Sequence, residues 1–168
     1  MLFNSFEFLV FLPIVFVLYW FVFQKREWQN LLIVTASYVF YGWWDWRFLF
    51  LIIFTSICSF YSGVLIERFE GSRRRQRLVC AVNLIVNFLI LGVFKYYNFF
   101  ADSLAQMVWG LFHYQLDWVT LNVILPVGIS FYTFQALSYT IDVYRKDVSV
   151  TRNVVEFCAF ISFFPQLV

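Results

Sequence analysis

Residues 125–147 read LPVGISFYTFQALSYTIDVYRKD, an apolar run with no full charge before Asp142 that nevertheless holds Pro126, Gly128, Gln135 and Ser138. A helix that only had to sit among lipid tails would be Leu, Ile and Val throughout. At a period of 3.6 residues, Gly128, Tyr132, Gln135, Tyr139 and Asp142 fall within an arc of about 80° on one face. An amide, two phenols and a carboxylate so placed can hydrogen-bond or line a polar path, but they do not pair a nucleophile with a base. An unsatisfied polar group in hydrocarbon is costly, so this face is expected to turn inward. Two roles stay open. In one, Gln135 and Tyr139 are hydrogen-bond glue between helices, Gly128 permits close packing and Asp142 pairs with Arg145 by helical spacing. In the other, the stripe, with Gln135, Tyr139 and Asp142, lines a cavity through which a substrate moves.

His113 is the only histidine, and histidine is the commonest general base. No acid or nucleophile is arranged around it in sequence, and aromatic residues flank it, so a structural or interfacial role is expected. No G-x-S-x-G elbow, phosphate-cradling glycine loop or H-E-x-x-H is present. Cys58, Cys80 and Cys158 stand far apart, in or beside apolar segments and without C-x-x-C spacing. They read as small apolar residues, and no metal site, disulfide or bound cofactor is expected.

The elements that must position these residues follow from composition. At 62% hydrophobic, 24% aromatic and 13% charged, the 168-residue chain departs from the roughly 45–50% apolar and about 25% charged of a soluble domain. An all-α, polytopic transmembrane helical bundle is expected, as one membrane region with no separate soluble domain. The charges sit in short connections between apolar runs, which argues against a nucleic-acid partner and for the lipid bilayer. Spans are expected over about residues 6–23, 31–44, 48–66, 78–94 and 122–143. Pro13 should bend the first without breaking it, and that run lacks the basic start and cleavage site of a removable leader.

Between the second and third spans, YGWWDWR at 41–47 sets three tryptophans around one acid and one base, as an aromatic belt at headgroup level would. ERFEGSRRRQR at 67–77 has five arginines and two glutamates. Short basic connections stay cytoplasmic, which places the N-terminus outside. For the basic residues 145–152 to fall inside as well, the segment at about 96–114 must lie along the interface and not cross. Its apolar residues recur at helical spacing, broken by Asp102, Ser103, Gln106 and His113, in keeping with an interfacial helix. A further apolar run from about 154 to 168 reads as the start of another membrane helix, and the chain as the first part of a longer protein.

Several stretches carry a family resemblance: MLFNSFEFLVFLPIVFVLYW, YGWWDWRFLFLI, FKYYNFF, LPVGISFYTFQALSYTIDVYR and FFPQLV. In this order they resemble the N-terminal part of the membrane-bound O-acyltransferases, in the bacterial branch typified by alginate O-acetyltransferase. The resemblance implies a multi-pass protein of the bacterial inner membrane. It would pass an acetyl group from a cytoplasmic donor such as acetyl-CoA across the membrane, for O-acetylation of an exported polysaccharide such as alginate. It also implies periplasmic or membrane partner acetyltransferase proteins, and a ring of helices around a funnel with a catalytic histidine deep inside. The matching histidine is expected beyond Val168, so no catalytic residue is expected in this chain, which alone should be inactive. A histidine suits the missing role, since at a pKa near 6.5 it can take the proton of an attacking hydroxyl at neutral pH. The residues themselves leave open a transporter or channel subunit, in which the same stripe conducts a solute without covalent chemistry.

Overall fold

A computed structural model of the chain describes residues 6–44, 46–112 and 128–167. Among them the secondary structure is helical, in seven α-helices: α1 Phe6–Val17, α2 Arg26–Trp44, α3 Trp46–Arg68, α4 Arg73–Phe112, α5 Ile129–Arg145, α6 Val154–Ile161 and α7 Phe164–Leu167. A π-helical turn, Leu18–Val22, extends α1. Pro13 sits inside α1 without ending it. The wide turn closes with Phe23 N–H on the Leu18 carbonyl at 2.9 Å, and Gln29 on α2 donates to the Tyr19 carbonyl at 3.2 Å. That side chain ties the end of the first element to the second.

Local chemistry sets the other boundaries. Gly71 takes a φ of 110°, which an L side chain adopts only with strain, and so turns the chain between α3 and α4. Gln76, buried on the first turn of α4, donates to the Ile66 carbonyl at 2.9 Å and so satisfies one of the orphan acceptors at the end of α3. α5 starts from Gly128 at φ 77° and ends at Lys146 at φ 70°, whose N–H bonds back to the carbonyls of Asp142 and Val143. Asp147 N–H also reaches the Asp142 carbonyl at 2.9 Å, the pairing of a left-handed helix cap. Asn153 caps α6 by accepting from Val155 N–H at 3.0 Å.

α3, α4 and α5 pack on one another, with α2 and α6 against α3 and with α7 against α2. α3 and α5 run the same way, since Gly63 abuts Tyr139 while the chain beyond each helix end meets through Glu70 and Lys146. α4 runs antiparallel between them. The connections at 67–77 and 145–152 therefore share one end of the bundle. Trp43 and Trp46, both exposed, stand at the opposite end, with Trp46 edge-on to Phe50 at 5.9 Å.

α4 has the reverse of a soluble helix's polarity. Leu78, Val82, Ile85, Leu89 and Val93 point outward, while Asn83 and Asn87 are buried with Cys80 and Leu91. Polar-inside and apolar-outside is the arrangement hydrocarbon selects, because water is absent and polar groups must find one another. α3 and the Arg73–Tyr96 part of α4 are long and apolar enough to cross a membrane.

Some boundaries differ from the sequence expectation. α2 begins at Arg26 and is 19 residues long, so the short run seen at 31–44 is part of a longer helix. α4 continues without a break through residues 95 and 96, where a change from span to interfacial helix was expected, and reaches 40 residues, about 60 Å. The final run is divided: α6 ends at Ile161 and α7 begins at Phe164. Continued helix would drive the Pro165 ring into the Ile161 carbonyl. Instead Ser162 folds its hydroxyl onto the Cys158 carbonyl at 2.6 Å, and Phe164 N–H donates to Ser37 on α2 at 3.2 Å. Asp45, His113 and residues 122–127 lie outside the described residues.

Candidate functional site

α5 places the sequence-predicted face between two environments. Tyr132 is fully buried and Tyr139 nearly so, whereas Gln135 and Asp142 sit half-buried at the edge of the packed face. The face that packs most deeply contains Ile129, Thr133, Ala136, Thr140 and Val143 beside those tyrosines. On a helical projection its centre lies roughly 80° from the centre of the predicted stripe. Only Tyr132 and Tyr139 belong to both.

Tyr139 is wedged. Its ring lies 4.7 Å from that of Phe157 on α6, and its hydroxyl accepts from Thr151 N–H at 3.2 Å. A Cβ at Gly63 on α3 would stand 2.8 Å from that hydroxyl oxygen. Gly63 is thus what lets α3 approach α5. Asp142 does not form the ion pair expected with Arg145: the Arg145 guanidinium lies instead 3.8 Å from Asp147, which the left-handed turn at Lys146 folds back toward it.

Gln135 donates from Nε2 to Oε1 of Gln166 on α7 at 3.2 Å, and its own Oε1 is buried without a partner among the described residues. The last residue of LPVGISFYTFQ therefore meets the glutamine of FFPQ, 31 positions later. Phe164, one step into α7, is buried among Phe8, Phe11 and Phe40 with ring centroids 5.5–6.5 Å away. Pro165, Phe163 and Phe164 also border an apolar cavity of about 300 Å³ with Leu12, Val15 and Tyr19.

A polar layer that the stripe did not include lies deeper. Asn83 Nδ2 reaches Thr140 Oγ1 at 2.8 Å and Ser59 Oγ at 3.3 Å, joining α4, α5 and α3. Asn87 Nδ2 donates to Asn83 Oδ1 at 3.0 Å and to its carbonyl at 2.9 Å. Within about one helical turn of this network, by register, lie the buried hydroxyls of Thr55, Ser56 and Thr133, unpartnered among the described residues. The signal available in sequence was Asn83 and Asn87, two amides four apart inside an apolar span. Thr140 on α5 was the matching partner of Asn83.

Chemically, the described residues offer hydroxyls and amides that hold and orient, and no charge relay. No group of three metal-ligating side chains gathers among them. The three cysteines are free, with Cys80 buried and the others partly so. Outside the spans, Glu70 is held below the usual carboxylate range by the hydrogen bond and charge of Lys146, 2.6 Å away.

The whole chain is 39% identical to the protein named probable alginate O-acetylase of Pseudomonas aeruginosa and covers 32% of it. It is likewise 39% identical to the protein of the same name from Azotobacter vinelandii, covering 33%. With the peptidoglycan O-acetyltransferase of Helicobacter pylori it shares 29% identity and covers 36% of that protein. The chain thus spans about a third of the length of the curated relatives it matches. The resemblance carried by its motifs extends over all 168 residues, and the relatives that share it are O-acetyltransferases by name. No family model matches the chain, and no solved structure matches it.

Proposed function

We propose that this chain is the membrane-embedded helical part of an O-acetyltransferase of the bacterial inner membrane. The complete protein takes an acetyl group from a cytoplasmic donor such as acetyl-CoA and passes it across the bilayer for O-acetylation of an exported polysaccharide. The observation that carries this reading is whole-chain similarity to proteins named for acetylating two different polysaccharides, alginate and peptidoglycan. The outward apolar face of α4, over an inward layer of asparagine and threonine, supports the multi-pass membrane setting.

Within that protein the described helices position and do not react. The acyl step breaks the donor's thioester C–S bond and forms a C–O bond, with the attacking hydroxyl's proton passing to a base. The expected histidine for that step belongs to sequence beyond Val168. Gln135 and Asp142 contribute a polar wall to the funnel, Gln135 held by Gln166, with Tyr139 packed behind them against Phe157. Periplasmic or membrane partner acetyltransferases complete delivery to polymer. The orientation follows from the basic end of the bundle: the connections at 67–77 and 145–152 face the cytoplasm and the N-terminus lies outside.

Transfer of labelled acetyl by the full-length protein in membrane vesicles tests this assignment. Gln135→Leu together with Asp142→Asn should lower transfer about tenfold or more at unchanged protein level. Unaltered transfer would remove both residues from the funnel wall, and absence of transfer by the wild type with its partners present would remove the function.

A further inference from the structure

The basic end of the bundle carries charge that the fold does not use. Arg68, Arg73, Arg74, Arg75 and Arg77 are all exposed. The two acids of the same stretch are engaged elsewhere: Glu70 with Lys146 at 2.6 Å and Glu67 with Arg152 at 3.5 Å. Among the described residues none of the five arginines has an acidic partner. Two of them lie over aromatic faces, Arg73 at 5.4 Å from the centre of the Tyr144 ring and Arg75 at 5.6 Å from that of Phe69. A guanidinium so stacked keeps its N–H edge free in a fixed plane, suited to two parallel hydrogen bonds to a phosphate.

Immediately after this crown α4 presents Leu78, Val82, Ile85 and Leu89 outward along one face, between 51% and 63% exposed. Gln76, the one uncharged residue between Arg73 and Arg77, turns inward to Ile66 and leaves the outer surface cationic. Phosphate-binding charge joined to an apolar strip fits a molecule with an anionic head and acyl chains. A soluble anion would have no use for the strip.

We propose that the crown of Arg68, Arg73, Arg74, Arg75 and Arg77 binds the headgroup of an anionic phospholipid, with its acyl chains along the outer face of α4. The site rests on the membrane setting of the preceding section but not on acetyl transfer. Each arginine near an anionic surface adds about fivefold to binding, so loss of two lowers it by an order of magnitude or more. Tyr144 and Phe69 act by orienting the guanidiniums.

The test is native mass spectrometry of the detergent-solubilised full-length protein after incubation with equimolar phosphatidylglycerol and phosphatidylcholine. The wild type should retain phosphatidylglycerol at least tenfold in excess. Arg73→Gln with Arg75→Gln should abolish most of that excess. Phe69→Leu with Tyr144→Leu, which alters no charge and so leaves membrane orientation alone, should lower it severalfold. Equal retention of the two lipids by the wild type, or an excess unchanged in both variants, would overturn the proposal. So would displacement of the bound lipid by millimolar inorganic phosphate, which would mark a soluble-anion site. Recovery of the wild type in the soluble fraction without detergent would instead overturn the membrane setting itself.

Discussion

Gly63 and Tyr139 meet where no methyl group fits. The nearest atoms to a Cβ at Gly63 are the Tyr139 hydroxyl at 2.8 Å and its Cε1 at 2.9 Å, and the ring cannot retreat because Phe157 backs it. Gly63→Ala should therefore lower the stability of the full-length protein by about 1–3 kcal/mol. Adding Tyr139→Phe, which removes the closest atom, should restore part of the loss; unfolding in mixed detergent micelles measures both, and strict additivity would place the clash elsewhere. Asn83 presents the opposite case, a residue whose value is polar. Asn83→Leu leaves Thr140, Ser59 and Asn87 each short of a partner and should cost roughly 1–2 kcal/mol by the same measurement. Glu70 adds a pH dependence. Since Lys146 holds its carboxyl below the usual range, the tie it makes is present above about pH 4.5 and is lost as the pH falls through the lowered value. Protection of the 146–152 amides against hydrogen exchange, measured relative to the intrinsic rate at each pH, should fall on acidification in the wild type and be low already at neutral pH in Glu70→Gln.

At the scale of elements, the chain was legible where hydrophobic runs and breakers decide, and less so where packing decides. The apolar runs at 48–66 and 78–94 lie inside α3 and α4, and the short basic connection expected between them is a turn at Gly71. The stripe on α5 was read by collecting its most polar side chains, which drew the face toward Gln135 and Asp142. Burial instead centres on Thr133, Ala136 and Thr140, because small side chains let α3 and α4 come close and a threonine hydroxyl can be satisfied inside the bundle. The bond between Gln135 and Gln166 was not legible. Helical period relates residues a few positions apart, while this pair is joined by the fold of α6 and α7 under Pro165. The ties of Lys146 to Glu70 and Arg152 to Glu67 were hidden for the same reason. They are exposed and contribute little each, yet together they hold the α5–α6 connection beside the α3–α4 turn.

At the scale of the whole molecule, the described residues form an inside-out bundle: apolar rows outside, an amide and hydroxyl layer within, the arginines of 68–77 at one end and Trp43 and Trp46 at the other. The chain's relatives, about three times its length, are O-acetyltransferases by name. The most direct measurement is the O-acetyl content of the exported polysaccharide in cells carrying the full-length gene, a deletion of it, and the deletion restored with the wild type. Deletion should remove most ester-linked acetyl while polymer yield persists, and the wild-type copy should restore it. Acetylation unchanged by the deletion would contradict the proposed function.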